Sequence, residues 1–199
     1  MLTAHEGRYA MALSDQQRVP PGQHLVSSLP VLHAGSVMHV ARDSWRLTVD
    51  GLVEPSLALD WDALLALPAT SQTCDIHCVT TWSKLDTRWK GVQVSTLFND
   101  LLLSPGARHA VIHAYGGWTT NLPLEELIRE DVLLAYEYEG RPISDEHGGP
   151  VRLLVPRLYF WKSAKWLQRI EITAEERLGY WERAGYHRLG DPWLEQRYS

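Results

Sequence analysis

The stretch from Ala110 to Tyr138, AVIHAYGGWTTNLPLEELIREDVLLAYEY, separates two ways of building a domain of this length. Ala110 to Tyr115 reads as a strand, with the Gly116-Gly117 pair as its turn. Pro123 opens a helix carrying Leu124, Leu127 and Ile128, and Val132 to Tyr138 reads as a strand again. The helix between them is short. A parallel crossover takes a dozen or more residues, usually in a helix that packs back onto the sheet. The stretch therefore points away from a doubly wound α/β sheet and towards an α+β fold.

Working outward, the same rhythm recurs. Trp45 to Gly51 alternates apolar and polar residues and ends in glycine, as a half-buried strand does. Asp60 stands before Trp61, Leu64, Leu65 and Leu67 as the N-cap of a short helix that Pro68 stops. Ser71 to Val79 has no helical period and reads as extended. Ser95 caps another short helix with Leu97, Phe98, Leu101 and Leu102, and strands are expected at Val151 to Val155 and Arg169 to Thr173. No repeat or low-complexity linker divides the chain, so residues 29–199 read as one domain. Residues 1–28, with Gly7, Pro20, Pro21, Gly22, Ser27 and Ser28, read as an arm expected to be partly mobile.

With 199 residues, 45% of them hydrophobic and 22% charged, the chain can bury a core without disulfide staples. A net charge of −5 and a pI near 6.0 argue against a nucleic-acid partner. No apolar run is long enough for a transmembrane helix. The N-terminus shows neither a secretory pattern nor a twin arginine, which sets the expectation of a cytoplasmic protein. There are nine Trp and nine His but four Lys. So much tryptophan suits either a heavy core or a deep, rigid pocket for a flat ligand. The two cysteines, Cys74 and Cys78, read as thiols. In an extended segment their Cα atoms would be about 13 Å apart, beyond the reach of a disulfide.

Two constellations carry chemistry. The first is Cys74-Asp-Ile-His-Cys78-Val-Thr-Thr-Trp82-Ser83-Lys84. In extended backbone Cys74, Ile76 and Cys78 share one face and His77 the other, which opposes a metal cluster drawn from this segment alone. Taken singly, either cysteine reads as a small buried residue. The second runs from His147-Gly-Gly-Pro-Val-Arg152 to Trp161-Lys-Ser-Ala-Lys-Trp166. Between His147 and Ile170 there is no acidic residue, yet Arg152, Arg157, Lys162, Lys165 and Arg169 supply five positive charges. Uncompensated cations beside glycine-exposed amides suit an anion such as a phosphate. The other reading is a solvated basic edge with a Gly-Gly-Pro turn. Neither a P-loop nor a dinucleotide fingerprint is present.

Together with Leu32-His33-Ala34-Gly35, Gly185-Tyr-His and Gly190-Asp-Pro-Trp193, these motifs resemble the small bacterial sulfite-oxidase-like oxidoreductases. Those are molybdopterin-binding relatives of sulfite oxidase and of the methionine-sulfoxide reductase catalytic subunit. The resemblance runs in order from about Leu29 to Tyr198. It implies a strand-rich α+β domain with mixed sheets and several short helices, and a molybdenum–molybdopterin cofactor. It implies Cys78 as the metal ligand, with a thiol pKa lowered by a metal and a cationic pocket. It implies cofactor contacts from His147, Arg152, Lys162, Ser163, Ala164 and Lys165, from Leu32 and His33, and from His113.

The activity implied is two-electron oxygen-atom-transfer redox on a small substrate, with a separate electron donor or acceptor. Sulfite oxidases follow the ligand cysteine with a run ending in arginine. Here the run is Val79-Thr80-Thr81-Trp82, so sulfite is not the expected substrate. At this length the haem and dimerisation domains of the larger enzymes are not expected. Tyr159, Trp161, Trp82 and Trp118 are candidates for the pocket mouth. Two alternatives are a non-catalytic molybdopterin carrier and a zinc protein using His77, Cys78 and another His.

Overall fold

The computed structural model describes residues 14–199. Residues 1–13 of the expected arm lie outside the described residues. From Ser14 onward the arm runs along the body: Arg18 pairs with Asp75 and Asp86 at 2.6 Å each, and residues 24–25 join a sheet.

In chain order the strands begin with β1 (His24–Leu25), β2 (Arg46–Gly51), β3 (Val53–Glu54) and β4 (Leu57–Asp60). Then come β5 (Ala69–His77), β6 (Trp82–Gln93), β7 (Leu102–Leu103), β8 (His109–Ala114) and β9 (Thr119–Pro123). The series closes with β10 (Leu133–Tyr138), β11 (Arg141–Pro142), β12 (Arg152–Leu154) and β13 (Leu167–Thr173). The helices α1 (Trp61–Ala66), α2 (Val94–Leu97), α3 (Leu124–Leu127) and α4 (Tyr180–Arg183) are six residues or shorter. Asp60 caps α1 as read from sequence, its carboxylate accepting the Ala63 N–H at 2.9 Å. Gly116 and Gly117 both adopt positive φ in the β8–β9 turn, a backbone that glycine enters without a Cβ clash.

The first sheet is ordered β1-β6-β10-β11, with β5 also on β6 and β12 also on β10; the second is ordered β4-β2-β13-β8-β9, and β3 and β7 pair as a small third sheet. The two large sheets mix directions, because β1 runs parallel to β6 and β2 parallel to β13. Leu134 and Leu153 of the first sheet share a core with Leu47, Ile112 and Ile170 of the second. Leu133, Ala135 and Leu154 face the opposite way, onto a second cluster with Trp82, Trp89, Tyr159 and Cys78. The first sheet is thus covered on both faces, which explains the unbroken apolar run at the start of β10.

Three local expectations are corrected. The segment read as extended to Val79 ends its strand at His77. The helix expected through Leu102 stops at Leu97, and Leu102 lies in β7. β6, at twelve residues the longest strand, has no counterpart in the sequence reading. Its charges at Lys84, Asp86, Arg88 and Lys90 take every second position, and the buried residues between them include Ser83, Thr87 and Gly91, so the apolar signal is thin. A register shift interrupts its pairing with β5, where Leu85 and Asp86 face the single residue Asp75.

Candidate active site

Cys78 sits in the four-residue turn between β5 and β6. The turn is closed by the Cys78 N–H donating to the Trp82 carbonyl at 2.9 Å and the Thr81 N–H donating to the Cys78 carbonyl at 3.0 Å. The turn and the register shift end the strict alternation expected from Cys74 to Cys78. Ile76, His77 and Cys78 are all buried, while Cys74 is half-buried. Thr80 Oγ1 donates to Cys78 Sγ at 3.2 Å. Burial pushes the Cys78 thiol up, against the Thr80 hydrogen bond and the charge of Arg197. The protein part of the pocket therefore does not lower this thiol, contrary to expectation, and a bound metal ion would have to do so.

Cys78 lies on the wall of a cavity of about 280 Å³. Leu32, His33, His147, Arg152, Ser163, Ala164 and Lys165 line the same cavity. Five of the nine tryptophans, at 82, 118, 161, 166 and 181, stand in its wall. The tryptophan richness thus serves a pocket as well as a core. Tyr159 does not reach the cavity; it is fully buried and stacks on Trp161 with centroids 5.4 Å apart. Trp181 and Tyr186 line it. Tyr186 lay in a quoted motif, but no sequence signal marked Trp181.

Of the five clustered cations, three have carboxylate partners brought from elsewhere in the chain. Arg157 meets Glu126 and Asp191, Lys162 meets Glu182, and Arg169 meets Asp50 and Glu171. Among the described residues Arg152 and Lys165 have none. Arg152 gives Nη1 to the His147 carbonyl and Nη2 to the Ser163 carbonyl, each at 2.7 Å, and lies 4.1 Å from the Phe160 ring centroid. Its Nε is buried with no partner. Desolvation pushes this guanidinium below its usual range, and an anion would relieve that. Lys165 Nζ donates to the carbonyls of Leu32, at 2.8 Å, and Glu146. Burial and the neighbouring Arg152 charge lower it to about 7. The same causes, with Lys165 added, push His147 down. Gly148 has φ +95, and a Cβ there would lie 2.5 Å from Lys165 Cβ, so the glycine turn is what lets the lysine backbone pass.

Two expected contacts lie elsewhere. Lys162 is buried with Nζ on the Asn121 carbonyl at 2.8 Å, Asn121 Oδ1 at 3.1 Å and Glu182 at 2.7 Å, and it also meets the Arg188 carbonyl. Its protons are committed to the protein. His113 pairs with Glu171 at 3.1 Å across β8 and β13. Its neighbour Ala114 lines the cavity, and adjacent residues of a strand point to opposite faces. The zinc alternative gains no support, because the described residues hold no group of three His, Cys, Asp or Glu placed to share an ion.

A buried donor without a partner, two cations without carboxylates, one thiol and flat aromatic walls fit a planar, phosphate-bearing, sulfur-coordinated group. Residues 34–181 match the oxidoreductase molybdopterin binding domain. The chain belongs to this family. Its relatives include an uncharacterized oxidoreductase of Bacillus subtilis (strain 168), YuiH. That protein is 46% identical over 188 residues, covering 94% of this chain and 95% of the relative. The protein-methionine-sulfoxide reductase catalytic subunit MsrP of Gluconobacter oxydans (strain 621H) is 30% identical over 157 residues, 70% of this chain and 50% of that one. In fold, the molecule resembles the sulfane dehydrogenase SoxCD of Paracoccus pantotrophus, with a TM-score of 0.66 at 19% identity over 93% of this chain and 58% of that one. The chain thus spans nearly all of YuiH and about half of the other two. As a family member it is a molybdopterin-binding oxidoreductase of the sulfite-oxidase-like type.

Proposed function

We propose that the cavity holds a molybdenum–molybdopterin cofactor with Cys78 as its protein ligand, and that the enzyme transfers an oxygen atom to or from a small substrate other than sulfite. The observation that carries this is one cavity wall holding Cys78, Arg152 and Lys165 together, the last two without carboxylate partners. When bound, the cofactor supplies the two-electron redox chemistry. Arg152 and Lys165 give charge-assisted hydrogen bonds to its phosphate, each contributing on the order of 1.5 to 3 kcal/mol. His147 and the Ser163-Ala164 backbone orient the ring system. The tryptophans of the wall keep water from the reacting face. The Thr80 hydroxyl, 3.2 Å from Cys78 Sγ, stabilises a thiolate there. The relative from Gluconobacter is named a catalytic subunit; we extend to this chain a separate electron donor or acceptor.

Elemental analysis and the absorption spectrum of protein made in a pterin-competent host test the reading, with about one molybdenum per chain expected. Protein that folds without molybdenum from such a host would overturn it. With sulfite and an artificial acceptor, turnover should be poor. A doubly charged oxyanion needs compensating donors at the metal face, and Val79-Thr80-Thr81-Trp82 supplies no cation. Rates at the level of a dedicated sulfite oxidase would remove that conclusion.

A further inference from the structure

The turn bearing Cys78 is gripped by two residues that lie outside the family match, one on each side of residues 34–181. Gln23 Nε2 donates to the Cys78 carbonyl at 3.0 Å, and its Oε1 accepts from Ser83 Oγ at 3.4 Å. Arg197 Nη1 donates to the Val79 carbonyl at 2.7 Å, while Nη2 reaches the carbonyls of Pro21 at 3.3 Å and Gly22 at 3.5 Å. One guanidinium therefore ties the turn to the N-terminal arm. It is largely buried, at 15% side-chain exposure, and lies 5.1 Å from the Tyr159 ring centroid. The tail that carries it has attachments of its own. Backbone bonds from the His187 N–H to the Arg197 carbonyl and from the Ser199 N–H to the Gly185 carbonyl, both 3.1 Å, already fasten that segment.

We propose that Arg197 is a positioning residue: by bridging the Val79 carbonyl to the arm, it fixes the turn and keeps Cys78 Sγ on the cavity wall. The turn has only two internal backbone bonds, and the adjoining carbonyls of Cys78 and Val79 are each held from outside it. A charged donor on such a carbonyl is the stronger kind of hydrogen bond, and its removal raises local opening about tenfold or more. The inference rests on Cys78 as the metal ligand.

The test uses the full chain purified with its cofactor, as wild type, Arg197→Ala, Arg197→Lys and Gln23→Ala. Hydrogen exchange is followed in peptides covering residues 78–82 and 167–173, beside molybdenum per chain and the thiolate-to-metal charge-transfer absorption. Arg197→Ala should speed exchange at 78–82 about tenfold or more, leave 167–173 unchanged, and shift the absorption band at undiminished molybdenum. Arg197→Lys keeps a charged donor but cannot span both groups, so it should fall between. Gln23→Ala loosens the same turn through a different bond, and it stands in if Arg197→Ala fails to fold. Unchanged exchange at 78–82 in the folded variants overturns the proposal. So does a rise shared equally by 167–173, or a local rise with an unshifted band. If the wild type holds no molybdenum, the cofactor reading fails, while the exchange data still judge the grip on the turn.

Discussion

At the residue scale the two cysteines divide cleanly. Burial raises Cys74 to about 12, and its Sγ sits 3.7 Å from Thr87 Oγ1, away from the cavity. Cys74→Ser should keep molybdenum and turnover, with a stability cost of about 1 kcal/mol in a thermal melt. Cys78→Ser should abolish turnover, because a hydroxyl is a harder and less acidic donor than a thiol. Its cofactor content should fall only partly, since Arg152 and Lys165 remain. An active Cys78→Ser enzyme, or a folded Cys74→Ser protein without metal, would reverse the assignment. Lys165 adds a pH dependence. Its pKa without an anion is near 7, and a bound phosphate raises it. Below pH 7 the amine is charged in either state and affinity is flat. Above pH 7 binding must take up a proton, so affinity falls by up to about tenfold per pH unit until the bound amine itself deprotonates. Pterin retained after dialysis at pH 6.5 and at pH 9 measures this, and Lys165→Arg should flatten the difference.

At the element scale the glycine turn ahead of β12 is as much a part of the site as the side chains. Gly148 and Gly117 both have positive φ, but a Cβ at Gly117 meets nothing within 4 Å, whereas one at Gly148 strikes Lys165. Gly117→Ala should lower the melt by a few degrees through about 1 to 2 kcal/mol of backbone strain, with molybdenum content intact. Gly148→Ala should lose cofactor as well, because it displaces Lys165. Equal cofactor content in both variants would show the turn to be scaffold only. The strands around these turns were legible wherever one pattern ruled: alternation at β2, apolar runs at β8 and β10, an Asp cap at α1. β6 was not. Its burial alternates from Ser83 to Gly91, but Leu85 and Trp89 are the two large apolar residues on that buried face, set among Ser83, Thr87 and Gly91, and Asp86 adopts a φ of +55.

At the scale of the whole molecule, the cavity draws on segments from Pro30 to Tyr186, so a cofactor bound there as proposed would hold distant parts of the chain together. Protein made in a host unable to build the pterin should melt about 10 °C lower than the loaded form. A ligand at a thousand times its Kd adds about 4 kcal/mol, and about 2 to 4 °C corresponds to each kcal/mol at this chain length. Coincident melts would mean the cofactor contacts one rigid part only. Eight of the ten residues expected to hold cofactor or metal meet in the cavity. Lys162 and His113 did not reveal themselves, because Glu182, Asn121 and Glu171 become their partners only through folding. The parallel pairing of β2 with β13 has a further meaning for how the molecule is made. Residues 46–51 leave the ribosome more than a hundred residues ahead of the strand they lie beside. The sheet behind the cavity stays open at its centre until then, and the wall at Tyr186 and the grip of Arg197 come later still. Loading of the cofactor therefore belongs after synthesis, and a nascent chain halted before residue 173 has no site to offer it.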